Sequence, residues 1–200
     1  MQRVFLLSPA KVSGIRAQLL LNPKAPFPRA RTFHARGLPL AEIFAFASAL
    51  YFRGKIAYAR RFADTARGEL IRVITANRGL LDPDLIVMPA DLRAFGEVDI
   101  DASDARYRRP LRRDAAALAR QLPRDGVAIL LGSIATAKYR DVLLDVFGDR
   151  LVFPQDFVGR GDMSRGGLLL RAARAGTELP YTSVRGAVLT GRRAPRIADM

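Results

Sequence analysis

The sequence predicts an α/β fold, with a mostly parallel central sheet flanked by helices on both faces in a three-layer α/β/α arrangement. Two observations lead there. Short apolar runs alternate with longer stretches of helical period, the order that yields parallel strands joined by helical crossovers. Those runs, Gly126 to Leu131 above all, are apolar at successive positions, as expected of strands covered on both sides. The length of 200 residues, half of them hydrophobic, suits one domain over residues 1–200.

The elements follow in order. Arg3–Leu7 (RVFLL) reads as a strand, turned out by Ser8-Pro9-Ala10-Lys11, and residues 13–20 read as a helix. Residues 22–31 hold Pro23, Pro26 and Pro28, which fix φ and remove backbone donors, so residues 22–38 read as a basic extended loop. Pro39 is expected to open a helix to about Tyr51, with a second over residues 54–62. Residues 70–75 (LIRVIT) form a strand ending in Ala76-Asn77-Arg78-Gly79, and a proline-broken stretch follows over residues 82–89. Residues 103–121 carry Leu111, Ala115 and Leu118 at helical spacing. Residues 126–131 are a buried strand, followed by a helix bearing Lys138, Tyr139 and Leu143. A strand over residues 151–153, a loop over 154–161 and a helix over 163–175 complete the pattern. The basic tail, residues 180–200, either pairs at a sheet edge or stays loose.

Composition narrows the function. With no cysteine there is no disulfide framework, thiol nucleophile or thiolate metal site, and the lone His34 removes a His-rich one. No apolar run approaches the length of a membrane span, and residues 4–7 are too short for a signal-peptide core. The net charge is +14, and residues 1–60 supply +9 of it, ten basic side chains against Glu42 alone. Residues 61–150 are nearly balanced at +1. An excess of this size concentrates polyanions, and only four of the 33 cations are lysine. Arginine grips phosphate bidentately and stacks on bases, although a GC-rich genome also favours its codons. DNA is the expected partner, with no membrane and no metal, for a cytoplasmic, nucleoid-associated bacterial monomer.

Five segments carry a family resemblance. Val4-Phe-Leu-Leu-Ser-Pro-Ala-Lys11 resembles the strand-plus-S-P-A-K start of the YaaA-type proteins, DNA-binding factors linked to peroxide stress. Tyr51-Phe-Arg-Gly-Lys-Ile-Ala-Tyr58 is similar to that family's F-N-G-x-x-Y segment, and Ile74-Thr-Ala-Asn-Arg-Gly-Leu-Leu81 to its S-G-L-Y-G-L-L element. Gly132-Ser-Ile-Ala-Thr-Ala-Lys-Tyr139 stands where it has L-A-S-x-E-Y, and Gly161-Asp-Met-Ser-Arg-Gly-Gly-Leu168 resembles its A-R-G-x-M-A-R helix start. The segments occur in order across nearly the whole chain. Arg53 replaces the expected Asn, Arg78 the expected Tyr and Lys138 the expected Glu. The layout is also similar to the uracil-DNA glycosylase superfamily, without its G-x-D-P-Y or H-P-S motifs. The resemblance implies a DNA-binding protein acting in peroxide stress, and the superfamily layout implies base excision.

Ligands of such sheets sit beyond the carboxyl ends of the strands, which gathers residues 8–11, 75–79, 132–136 and 154–165. A DNA N-glycosidase needs phosphate contacts, a slot for a flipped base, hydrogen bonds to its edge and charge stabilisation. Arg29, Arg31, Arg36, Arg53, Lys55, Arg78, Lys138, Arg160 and Arg165 are candidates for phosphates. Tyr51 and Phe52 are candidates for stacking, with core packing as the alternative. Ser8, Asn77 and Ser133 could read a base edge, although Asn77 also suits a left-handed turn and Ser133 a helix cap. Asp162 and Lys11 are the candidate catalytic charges, Asp162 being equally suited to cap the helix after it. No Walker-type loop is present and no cofactor is expected.

Overall fold

The structure, a computed structural model, describes residues 2–191. Strand β1 (Arg3–Leu7) leads into helices α1 (Ile15–Leu21) and α2 (Pro28–Arg36), the short strand β2 (Leu38–Pro39), then α3 (Leu40–Ser48) and α4 (Leu50–Phe62). Strands β3 (Leu70–Ile74), β4 (Leu80–Leu81) and β5 (Ile86–Val87) precede α5 (Pro89–Gly96) and α6 (Ala105–Gln121). The chain closes with β6 (Val127–Leu131), α7 (Ala137–Phe147), β7 (Leu151–Pro154), α8 (Asp162–Ala175) and β8 (Tyr181–Ser183).

The main sheet runs β4-β3-β1-β6-β7-β8. Its four inner strands are parallel and both edge strands antiparallel, so the predicted mostly parallel α/β fold is observed. β1 sits at the centre, with Phe5 opposite Ile71 on one side and Ile129 on the other. Val4, Phe5, Leu6 and Leu7 are all buried, because helices cover both faces. Right-handed crossovers explain the layering. β1 connects leftward to β3 through α1–α4, whereas β6 connects rightward to β7 through α7, so the helical layers lie on opposite faces. α8 returns to pack on α4, and α6 packs on α7. The strand order reverses between β1 and β6, which opens a crevice at their carboxyl ends.

Several local expectations are corrected. Residues 28–36 are helix, not extended loop: Pro28 occupies the first helical positions, where its missing N–H is no loss and its fixed φ is pre-organised. Pro89 starts α5 in the same way within the stretch read as proline-broken. Pro39 stands just before α3, with Leu38–Pro39 paired to Ile86–Val87. The expected single helix to Tyr51 is instead split at Ala49, which takes φ 49° and turns the chain into α4 four residues before the expected start at Gly54. Of the tail, Tyr181–Ser183 pairs with β7 at the sheet edge, and residues 192–200 lie outside the described residues.

Candidate functional site

Ser8, Ala76 and Ser133, just past the carboxyl ends of β1, β3 and β6, open onto one cavity of about 790 Å3. α3 and α4 add Phe44, Ser48 and Tyr51, α7 adds Tyr139, and α8 presents Asp162 at the rim. Its charges are mixed, Lys11 and Lys138 against Asp99, Asp101 and Asp162. The strand-end cleft is therefore where the sheet topology predicts it, with Ser8, Lys11, Tyr51, Ser133, Lys138 and Asp162 all on its wall.

Two glycines set the wall's geometry. Where α4 crosses α8, a methyl on Gly54 would stand 2.5 Å from the Gly166 carbonyl oxygen, and one on Gly166 2.8 Å from the Leu50 oxygen. This close crossing brings Tyr51 and Lys55 of α4 against Asp162 and Arg165 of α8. Asp162 is the first residue of α8 and makes no cap hydrogen bond, Gly161 holding the cap position. Its carboxylate accepts instead from Arg165 Nη1 at 3.2 Å.

Beneath the cleft lies Lys55, which the structure removes from the phosphate contacts. The side chain is wholly buried, and its Nζ donates to the Ser8 carbonyl at 2.6 Å and to Ser8 Oγ at 2.8 Å. The Tyr51 and Phe52 rings lie 4.3 and 4.9 Å from it. No carboxylate forms an ion pair with it among the described residues. Burial pushes the amine down to about 7, opposed by the Asp162 charge. Burial also raises the Tyr139 phenol, against hydrogen bonds to Ser8 and to the Ser133 backbone. Tyr51 is raised most by burial and next by Tyr139, with Arg165 opposing. Its hydroxyl is buried, with the Arg165 guanidinium close to it.

Other candidates are reassigned. Phe52 is fully buried and meets Phe44 edge-on at 5.3 Å, so it is core and stacks on no ligand. Asn77 donates to the Ala94 carbonyl at 2.8 Å, tying the β3 turn to α5 outside the cleft wall, and its φ is not left-handed. Arg78 pairs with Asp91. Arg160 binds the Asp156 carbonyl and Ser164 Oγ, and buried Arg165 binds the Phe157 carbonyl as well as Asp162. None of these three lies open to a phosphate in the cleft. His34 lies against the Leu20 carbonyl. Ser133 is not a helix cap: Thr136 holds that position, and Ser133 Oγ accepts from the Ala135 N–H. Sequence reasoning missed Tyr139 as a wall residue; its place three residues past the cap of the helix following β6 was the available signal.

The remaining arginines form a second surface. Arg16, Arg29 and Arg53 line a groove of about 680 Å3, and Arg29 and Arg36 line an adjoining one of about 570 Å3. Glu42 is the acid common to both. Arg31, on α2 with Arg29, is exposed. Among the described residues none of these five arginines has an acidic partner. In residues 61–150, by contrast, Arg72, Arg78, Arg106, Arg113 and Arg140 each pair with an aspartate. The groove and the cleft share the α3–α4 corner: Ser48 and Tyr51 face the cleft, Ala49 and Arg53 the groove.

Among the described residues no helix is long and apolar enough to cross a membrane, and no group of three or more His, Asp or Glu is placed to hold a metal ion. Comparisons with protein-family models, curated proteins and solved structures give no match to this chain.

Proposed function

We propose that the protein binds DNA along the arginine groove and excises a base, uracil being the first choice, that is flipped into the strand-end cleft. The observation that carries this reading is the set of unpaired arginines along a groove that meets the cavity at the α3–α4 corner. Unpaired guanidinium groups keep their full charge for phosphate, whereas those held by aspartate have spent it. A strand tracking Arg29, Arg16 and Arg53 would pass the corner at Ala49 and present a base to Tyr51. Tyr51 is the aromatic residue of the cavity wall at that corner, against which the edge of a flipped base could lie. Asp162 at the rim would stabilise positive charge on the sugar, and Lys11 the departing base.

Kinship with the YaaA-type proteins belongs to the same proposal. All five segments that carry the resemblance place a residue on the cleft: Ser8 and Lys11, Tyr51, Ala76, Ser133 and Tyr139, and Asp162. Five short motifs scattered through the chain converge on one cavity, as a shared site would require. This favours a second reading, a non-catalytic DNA-binding protein of that type acting in oxidative stress; either activity would place the protein at the nucleoid.

One experiment separates the readings. Pure protein is incubated with uracil-containing and control oligonucleotides, and abasic sites are cleaved with alkali. Strand breaks at uracil alone support excision. Salt-sensitive binding without breaks supports the second reading, and no binding at low salt refutes both.

A further inference from the structure

The Lys55–Ser8 contact has no part in the excision scheme, and among the described residues Lys55 is the one wholly buried lysine. A lysine amine is seldom buried without a carboxylate, because the charged form loses its hydration. Here the amine is enclosed by Tyr51 and Phe52, and among the described residues it hydrogen-bonds only to Ser8. A cap for the first carbonyl past β1 would explain the 2.6 Å contact to Ser8 O but not the second, to Ser8 Oγ at 2.8 Å.

We propose that Ser8 is a covalent nucleophile, that Lys55 is its general base, and that the cleft accepts a carboxylic ester or amide. Donation of one amine hydrogen to the Ser8 carbonyl fixes Nζ and turns its remaining valences toward Oγ. A neutral amine so placed accepts the hydroxyl proton, the requirement for an activated serine. Ser8 lies on the cavity wall just past the carboxyl end of the central strand, its N–H still paired to the Leu131 carbonyl of β6. Gly132 makes the room, since a methyl there would stand 2.8 Å from Ser8 Cβ and 3.0 Å from the Tyr139 hydroxyl. Tyr139, kept protonated by burial, is the second group on Ser8. The Ser133 hydroxyl proton, at the neighbouring strand end, has no acceptor among the described residues and is available to a developing oxyanion.

The reaction balances without a cofactor. Ser8 Oγ attacks the acyl carbon while its proton passes to Lys55 Nζ. The bond to the leaving alcohol or amine breaks, and Lys55 returns the proton to it. Water then attacks the acyl-serine, again giving a proton to Lys55, and the acid departs as Ser8 Oγ recovers that proton. The polar and titratable groups around Lys55 are Ser8 just past β1, Tyr51 on its own helix and Asp162 from α8, while Tyr139 from α7 adjoins Ser8 and Arg165 from α8 adjoins Tyr51. Of these Asp162 opposes loss of the proton, and burial outweighs it. This inference goes beyond the nucleic-acid reading and does not need the arginine groove.

The test is labelling with an alkyl fluorophosphonate, in which the Ser8 Oγ–phosphorus bond forms and fluoride leaves. Peptide mass mapping is expected to place the adduct on Ser8, at a rate that rises with pH through about 7 as the amine becomes neutral. Lys55→Met is expected to slow labelling by about 100-fold or more, the scale of lost general-base catalysis, while far-UV circular dichroism stays unchanged. As a check independent of that variant's folding, the Ser8→Cys thiol is expected to react with iodoacetamide faster with Lys55 present than in Ser8→Cys/Lys55→Met. An unlabelled wild type, an adduct on another serine, or equal thiol reactivity in the two backgrounds would overturn the proposal. None of these results bears on DNA binding, which is read from the salt-dependent oligonucleotide assay.

Discussion

Gly54→Ala should cost stability although it adds a good helix former to a helix. In an open helical site that exchange gains about 0.8–1.0 kcal/mol. At position 54 the new methyl would meet Gly166 backbone atoms at 2.5, 3.0 and 3.2 Å. Backbone of a second helix cannot rotate aside as a side chain can, so α4 and α8 must part. Overpacking of this kind costs about 1–3 kcal/mol. The propensity gain offsets part of it, leaving a net loss of up to about 2 kcal/mol. Gly167→Ala is the control, because its nearest neighbour is an Arg171 guanidinium nitrogen at 4.0 Å and the propensity gain stands alone. The two variants should therefore differ by about 1–3 kcal/mol in urea unfolding followed by circular dichroism. Equal midpoints would refute the close crossing, and with it the account of how Tyr51 and Lys55 are held against Asp162 and Arg165.

Lys55→Met should remove a pH dependence. The amine releases its proton near pH 7 in the folded chain but near about 10.4 unfolded. Between those values the unfolded state binds more protons, so wild-type stability rises with pH there, by at most about 1.4 kcal/mol per pH unit. Unfolding midpoints that climb from pH 7 to 9 in both proteins, or in neither, would refute this. Replacing Arg16, Arg29 and Arg53 together with alanine should flatten the salt dependence of oligonucleotide binding, lowering the slope of log K against log salt by about 2–3; an unchanged slope moves the interface elsewhere. Asp162→Asn should reduce excision by about 100-fold while leaving oligonucleotide affinity nearly intact, and equal rates would leave the carboxylate only its contact with Arg165.

The sheet was legible because its strands advertise themselves. Four consecutive buried positions in β1 and in β6 can arise only from strands covered on both faces, and the alternation with helices then fixes parallel pairing. Prolines were the main source of misreading. A proline is disfavoured in a helix interior, although α6 holds Pro110, and is favoured at the first turn, and local sequence does not say which position it will hold. Pro28 and Pro89 are both starts, so α2 and α5 were hidden behind residues read as breakers. Ala49 gave no warning at all. An alanine at positive φ is held there by the packing of α3 and α4, a tertiary cause with no local signature.

The site shows the same division between pattern and environment. Strand-end positions were readable, so Ser8, Ser133 and Asp162 fall where the topology rule sends them. The role of a cation was not, since charge has no meaning until its partners are known. The sequence places ten basic residues before position 61 without saying which are spent. Four arginines of that segment line the grooves and Arg31 is exposed beside them, whereas Lys55 is drawn beneath the sheet end. Helical period contained the warning: Tyr51, Phe52, Lys55, Tyr58 and Ala59 recur at the three- and four-residue spacing of one buried face. Starting the helix at Gly54 cut Lys55 from Tyr51 and Phe52 and made it resemble a surface charge beside Arg53. With α4 begun at Leu50, the same five residues put an amine inside an apolar stripe. A charge in that position is either a destabilising accident or a group kept for chemistry, and the two contacts to Ser8 are the ground on which the second is proposed.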